Sequence, residues 1–200
     1  MIVELLAKMK LQDFLAHQRE ENTFYVTDLV RCPLKTEYEK KYREVAVSQA
    51  LTPATILGEL VHRGLESLIQ IEGYNVRSEV EAEKVISVGK EVKIKGRCDI
   101  MLEKDGERTI VEIKTSRSDA GIPHTHHVMQ LRIYLWLFNA KKGILFYVTP
   151  DRFTEYEVNE PMDEASIVNL VQQTLDKNPS PRFQWECKYC QFSIMCPNKR

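Results

Sequence analysis

Two carboxylates and a lysine near the middle of the chain have a spacing that suits metal chemistry. Two runs of alternating apolar and polar residues are separated by Asp105-Gly106, a dipeptide typical of a two-residue hairpin turn. With that turn, Asp99 faces Glu112 across the hairpin, and Lys114 follows Glu112 on the same face. Carboxylate oxygens are ligands that Mg²⁺ and Mn²⁺ prefer. The hairpin therefore predicts a carboxylate metal site with a cation beside it.

The same three side chains also have a purely structural interpretation. Two surface acids with a lysine as salt-bridge partner are common in antiparallel sheets, although like charges directly opposite one another are destabilising. The other face of the hairpin is expected to belong to the core, and its apolar residues are Cys98, Ile100, Leu102, Val111 and Ile113. A register shifted by one residue would send these side chains to the opposite face.

The hydrophobic periodicity predicts the elements that must hold this hairpin. Helices are predicted at 1–21, 34–42, 54–72, 123–140 and 161–177, and strands at 76–88, 91–103, 144–149 and 154–158, with the hairpin ending near residue 115. Residues 44–53 are predicted to form a connector. The helix at 54–72 is expected to bury Leu57, Leu60, Val61, Gly64, Leu65 and Leu68. This order predicts an α/β fold that mixes antiparallel hairpins with one crossover.

The composition is that of a globular chain without a strong charge bias. Its 200 residues are enough for one substantial domain, with 43% hydrophobic and 28% charged residues and a net charge of −1. Bulk charge therefore gives no argument for nucleic-acid binding, which must depend on local groups. No apolar run has the length of a membrane helix, and the first residues do not resemble a secretory signal. We expect a cytoplasmic protein with no membrane partner.

The carboxylate–lysine set is similar to a known nuclease signature. Asp99, followed on the next strand by Glu112-Ile113-Lys114, resembles the motif of the PD-(D/E)xK nuclease superfamily. The chain departs from the name of that motif in one place, because Cys98 precedes the aspartate where the name has a proline. The resemblance implies that Asp99 is the fixed member of the first half.

Two further motifs strengthen this resemblance. His62, in the helix predicted at 54–72, resembles the histidine motif of RecB-type nucleases. Gln130 and Tyr134, on the helix after the hairpin, resemble their Gln-x-x-x-Tyr motif. His124, His126 and His127 at the start of that helix suggest another metal site, but nothing else completes a ligand set, and we expect solvated side chains.

Five cysteines, an odd number, argue against a disulfide scaffold in a chain without an export signal. Cys98 is expected to be a small buried residue. The other four have a spacing that suits a metal, and they are Cys32, Cys187, Cys190 and Cys196. Structural zinc and a [4Fe–4S] cluster both accept four thiolates, and spacing alone does not decide between them.

The cysteine pattern resembles that of the iron–sulfur RecB-like exonucleases, and a chain of this length looks most like the CRISPR-associated Cas-four exonuclease family. The resemblance implies a restriction-endonuclease-like αβββαβ core at about 54–158, with N-terminal helices before it, inside a single domain of residues 1–200. It also implies a [4Fe–4S] cluster held by Cys32 and the segment 187–196, which would clip the C-terminal tail to the N-terminal region.

The same resemblance implies a role for each site residue. Mn²⁺ or Mg²⁺ would be bound by His62, Asp99, Glu112 and the main-chain carbonyl of Ile113. Lys114 would complete the catalytic set with Asp99 and Glu112, either by positioning the attacking water or by neutralising the transition state. The DNA-binding residues would be Gln130 and Tyr134, and Tyr134 would stack on a base.

The function implied by the resemblance is a metal-dependent exonuclease that acts 5′ to 3′ on single-stranded DNA, or on DNA with single-stranded ends. In CRISPR systems it would trim spacer precursors beside the integrase complex. Two alternatives stay open: a stand-alone RecB-like repair nuclease outside CRISPR, and a non-catalytic iron–sulfur module for DNA binding and assembly. The intact Asp99, Glu112 and Lys114 argue against that module. Endonuclease activity and a homo-oligomer are both compatible with the chain.

Overall fold

The computed structural model describes residues 1–16 and 19–200. The strands in these residues are β1 (Thr23–Tyr25), β2 (Asn75–Ser87), β3 (Glu91–Lys104), β4 (Glu107–Thr115), β5 (Lys142–Val148) and β6 (Phe153–Val158). The helices are α1 (Ile2–Ala16), α2 (Val26–Leu29), α3 (Pro33–Lys41), α4 (Arg43–Ala50), α5 (Pro53–Leu68), α6 (Thr125–Phe138) and α7 (Glu164–Leu175), with a 3₁₀ helix at Gln184–Tyr189.

The strands form one mixed sheet in which the long strand β3 has three partners. β2 pairs antiparallel along almost the whole of one edge of β3. The opposite edge of β3 pairs with β1 in parallel and with β4 in antiparallel orientation. β5 is parallel to β4, and β6 is antiparallel to β5. α6 makes the crossover between β4 and β5. This arrangement confirms the predicted α/β fold with antiparallel hairpins and one crossover. Residues 23–30 were predicted to begin with a short extended segment, but the parallel pairing of β1 with β3 was not predicted.

The hairpin of β3 and β4 has the predicted turn. Asp105 and Gly106 have φ angles of 51° and 79°, as a turn with two left-handed residues requires. The paired residues follow the predicted register from the turn as far as Ile100 and Val111. Local turn chemistry therefore fixes this part of the hairpin.

The register prediction is wrong at Asp99. The β3–β4 ladder ends before Asp99 and Glu112 would pair, and Oδ2 of Asp99 instead accepts a 2.7 Å hydrogen bond from the amide of Ile113. The alternation of buried side chains along β3 also changes phase here. Cys98 lies with Met101 in the main core, and not on the apolar face of the hairpin where we expected it.

The core has two parts, on the two faces of the sheet. The main part lies between the sheet and the helices α2, α6 and α7, and it includes Leu29, Ile94, Ile110, Leu131, Leu135 and Ile167. The smaller part lies against α5, and it consists of Ile100, Leu102, Val111 and Ile113 with Val61 and Leu65. α5 and α6 therefore cover opposite faces of the hairpin.

Two predictions about helices are wrong. Residues 44–53 were expected to be a connector, but α4 occupies most of that segment. On α5 the expected buried stripe is only partly buried, since Leu57, Leu60 and Leu68 are 62%, 62% and 77% exposed while Val61 and Leu65 pack against the sheet. The helix predicted at 1–21 is helical from Ile2 to Ala16, and residues 17 and 18 lie outside the described residues.

Over the parts of the chain that the structure describes, no helix combines the length and the apolar character needed to cross a bilayer.

Candidate active site and metal centre

The candidate site lies where β3 and β4 separate. Asp99 at this point is held from two sides: its Oδ2 accepts the amide of Ile113 on β4, and its Oδ1 lies 3.3 Å from Nδ1 of His62 on α5. These contacts join β3, β4 and the helix α5 that covers them. The sequence had predicted the three residues as one group, and the structure brings them together.

Glu112 forms the buried centre of the site. Its side chain is 3% exposed, and its Oε1 accepts hydrogen bonds from Nζ of Lys114 at 2.8 Å and from Nε2 of Gln130 at 2.9 Å. Lys114 also donates to Oε1 of Gln130 at 3.0 Å, which closes a three-membered network. The second carboxylate oxygen, Oε2, is buried without a hydrogen-bond partner. A buried acceptor left unsatisfied in this way is costly, and an ion would satisfy it.

The surroundings raise the pKa values of Glu112 and His62, so both side chains hold their protons more tightly than usual. Burial is the main cause that raises the pKa of Glu112 from 4.5 to about 7; Lys114 opposes the rise and Asp99 adds to it. For His62 burial acts to lower the pKa, but the hydrogen bond and the charge of Asp99 outweigh it, so the pKa is raised. A site without a cation therefore retains protons that a bound cation would displace.

Ligand atoms suitable for a divalent ion converge on α5 and β3. One atom from each of His62, Glu66 and Asp99 lies within 4.8 Å of the others, the spacing of ligands around one ion. Glu66 was not among the predicted ligands, although its position four residues after His62 places both on one helix face and could have indicated it. The unpartnered Oε2 of Glu112 fits the same kind of ion, because Mg²⁺ and Mn²⁺ prefer oxygen ligands.

Gln130 and Tyr134 lie in the interior of the site. They are 6% and 4% exposed, and Nε2 of Gln130 donates to Oη of Tyr134 at 3.3 Å. Burial raises the pKa of the Tyr134 phenol well above its usual value. The ring of Tyr134 has no exposed face for base stacking, so that detail of the prediction does not fit. Gln130 instead orients Glu112 and Lys114.

The sequence of this chain is similar to those of known nucleases. The family model of the PD-(D/E)XK nuclease superfamily matches residues 69–197. A protein of Saccharolobus solfataricus named "CRISPR-associated exonuclease Cas4" is 56% identical over 201 residues, which cover all of this chain and 99% of that protein. This chain belongs to the Cas4 family of the PD-(D/E)XK nuclease superfamily.

One solved structure superposes closely on the whole of this chain. The crystal structure of SSO0001 superposes with a TM-score of 0.95 at 55% identity, covering all of this chain and 98% of that one. An alkaline exonuclease from Laribacter hongkongensis superposes with a TM-score of 0.48 at 12% identity over 87% of this chain and 94% of its own, a likeness too weak to carry a conclusion.

Four cysteines of this Cas4-family chain line one cavity of about 160 Å³, and they are Cys32, Cys187, Cys190 and Cys196. The tail reaches the N-terminal region there, because Oε1 of Glu186 accepts from the amide of Cys32 at 2.7 Å. Thiolates around one zinc ion would lie about 3.8 Å apart. Among the described residues, no three cysteine sulfurs all lie within 4.8 Å of one another. Cys98 is 0% exposed in the main core, as predicted for a small buried residue.

The prediction that the histidines at the start of α6 are solvated is wrong, because His124, His126 and His127 are all half-buried. Burial is the main cause that lowers the pKa values of His126 and His127, that of His126 to about 4. The phenol oxygen of Tyr147 lies 2.7 Å from Nδ1 of His127. These imidazoles are therefore neutral aromatic rings at neutral pH.

Proposed function

We propose that this protein is a metal-dependent DNA exonuclease that degrades single-stranded DNA in the 5′ to 3′ direction and trims spacer precursors in CRISPR adaptation. The observation that carries the proposal is the buried, unpartnered Oε2 of Glu112 next to Asp99, His62 and Lys114. The CRISPR setting rests on the family, since the 56% identical relative is named a CRISPR-associated exonuclease.

The site supplies metal ligands, the ammonium group of Lys114, and the side chains that orient this lysine. We infer that Mn²⁺ or Mg²⁺ is held by His62, Asp99, Glu112 and the main-chain carbonyl of Ile113. The bound ion would lower the pKa of a water molecule and offset charge on the scissile phosphate. Lys114 is fixed by Glu112 and Gln130, so its ammonium group is positioned to donate to a phosphate oxygen or to the attacking water.

The four cysteines are proposed to hold a [4Fe–4S] cluster. The shared cavity supports this proposal, because four cysteines line it and a cluster of this kind takes four thiolate ligands. The cluster would then join Cys32 to the C-terminal segment 187–196, and the whole chain would fold as one nuclease domain. A redox task is not needed for this role, because metal binding at such sites is coupled to folding.

The setting of the reaction is also part of the proposal. We propose that the enzyme lies in the cytoplasm, where thiols stay reduced. It would act beside the CRISPR integrase complex, and a homo-oligomer is compatible with this role. The alternative of a RecB-like repair nuclease uses the same site on different DNA. An assembly module without catalysis would have no need for a buried Glu112 paired with Lys114.

Labelled oligonucleotides test the reaction directly. Wild-type protein with Mn²⁺ should shorten a single strand labelled at its 3′ end stepwise from the 5′ end, and EDTA should stop the reaction. Asp99→Asn should abolish cleavage while the circular dichroism spectrum stays unchanged. Glu107→Gln, an exposed acid on the same strand as Glu112, is the matched control and should cleave normally. Full activity of Asp99→Asn would refute the site, and shortening from the 3′ end would refute the polarity.

A further inference from the structure

A continuous row of aromatic rings runs from the candidate active site to the cysteine-rich tail. We call it the aromatic band, and it consists of His124, His126, His127, Phe183, Trp185 and Tyr189. Neighbouring ring centroids along it lie between 4.0 and 6.5 Å apart, and two of the pairs, His124–His126 and Phe183–Trp185, are stacked. Such spacings are typical of interacting aromatic rings.

One end of the aromatic band contacts Tyr147, the residue next to the catalytic lysine on the neighbouring strand. Nδ1 of His127 lies 2.7 Å from the phenol oxygen of Tyr147, and Tyr147 on β5 is paired with Lys114 on β4. His126 is also the junction of the band, since its ring centroid lies 4.0 Å from that of His127 and 4.8 Å from that of Trp185. The band thus leads from the strand next to Lys114 toward Trp185.

The other end of the band is open to solvent. Trp185 is 46% exposed and Tyr189 is 64% exposed, although large aromatic side chains usually bury most of their surface. A cation accompanies them, because Nζ of Lys188 lies 5.6 Å from the ring centroid of Tyr189. Exposed ring faces next to an ammonium group match the two parts of a nucleotide, a flat base and a charged phosphate.

We propose that the aromatic band is a binding track for single-stranded DNA, on which successive bases stack at Trp185 and Tyr189 before the strand reaches Lys114. The proposal rests on the nuclease function proposed above, and it names the part of the surface that selects single strands. A base in a duplex has both faces covered by its neighbours, so an aromatic track favours strands whose bases are free.

This track also gives the cysteine centre a mechanical role. Trp185 and Tyr189 line the same cavity as the four cysteines, and they flank Cys187 in the 3₁₀ helix. A group bound by the cysteines would therefore fix the position of both rings relative to Cys32 at the start of α3. His126 and Trp185 are far apart in sequence, so the band is continuous only because the tail packs against the start of α6 in the tertiary structure.

The test separates base stacking from phosphate binding, with the full-length protein in EDTA so that the DNA stays intact. Fluorescence anisotropy measures the Kd for an oligothymidylate and for an abasic strand of equal length. Trp185→Leu should raise the Kd for the oligothymidylate by about 5- to 150-fold and leave that for the abasic strand unchanged. Trp185→Phe should restore most of the affinity, because a ring is retained.

The matched control is Phe153→Leu, since Phe153 is a 70% exposed aromatic residue on β6 outside the band. Both Kd values of this variant should equal those of the wild type. The Trp185→Leu variant must retain the metal bound by the cysteines. If this variant loses the metal, Tyr189→Leu replaces it in the comparison. An unchanged Kd for the oligothymidylate, or an equal loss for both strands, overturns the track. Absent cleavage with base-dependent binding intact would instead refute the nuclease proposal alone.

Discussion

Replacing Glu112 with glutamine should stabilise the metal-free protein above neutral pH and should abolish cleavage. The carboxyl is 3% exposed, its Oε2 has no hydrogen-bond partner, and burial raises its pKa from 4.5 to about 7. The ionised form is therefore more costly in the folded state than in the unfolded chain. Glutamine cannot ionise, so this cost disappears.

The size and the pH range of the effect follow from the two pKa values. Below about pH 4.5 the carboxyl is protonated in both states, and it imposes no cost. As the pH rises from 4.5 to about 7, the unfolded chain releases its proton before the folded protein does, so the free energy of unfolding falls. Above pH 7 the loss is constant at about 3 kcal/mol.

The gain in the variant should be smaller than that loss. Glutamine keeps an Oε1 that accepts from Lys114 and Gln130, but it loses the attraction between opposite charges at Lys114. We expect Glu112→Gln to be more stable than the wild type by about 1–3 kcal/mol at pH 8 and equally stable at pH 4.5. Mn²⁺ at about 1,000 times its Kd should reverse the order, because it stabilises a competent site by about 4.1 kcal/mol.

Urea unfolding followed by circular dichroism measures these free energies, with EDTA or Mn²⁺ at each pH. Glu107→Gln is again the control, since it removes an exposed carboxyl from the same strand and should match the wild type throughout. If Glu112→Gln were no more stable than the wild type at pH 8 in EDTA, the inference that Glu112 is an unsatisfied buried anion would be refuted.

Three further predictions address the lysine, the cysteines and a packed glycine. Lys114→Ala should slow single-turnover cleavage by about 10²–10³-fold while Mn²⁺ binding, measured by calorimetry, is retained, because an ammonium group is not a metal ligand. Serine at Cys32, Cys187, Cys190 or Cys196 should remove the visible absorbance of the as-purified protein. The melting temperature should fall by about 2–4 °C for each kcal/mol of unfolding free energy that is lost. Cys98→Ser, in the core, should keep the colour. Gly96→Ala should cost about 1–3 kcal/mol in urea unfolding, since its methyl group would lie 2.6 Å from the Tyr134 ring, while Gly64→Ala, which meets no atom within 4 Å, should gain about 0.5–1 kcal/mol.

Sequence patterns alone predicted the parts of this protein that depend on neighbouring residues. The turn at Asp105 and Gly106 follows from backbone preference, and it set the register as far as Ile100 and Val111. Periodicity located the strands and most helices, because burial of one face repeats every two residues in a strand and every 3.6 in a helix. The pattern could not show which apolar residues of α5 are covered: Leu57 and Val61 look alike in sequence, but only one packs against the sheet.

The tertiary structure decided what depends on residues far apart in the chain. Asp99 lies beyond the end of the β3–β4 ladder, where its two carboxylate oxygens contact the amide of Ile113 and the ring of His62, and no local preference predicts these contacts. The raised pKa of Glu112 arises from its burial beside Gln130 of α6. The sequence determined which groups are present and how each segment folds locally. Their charges and their contacts with one another were decided only when packing excluded water around them.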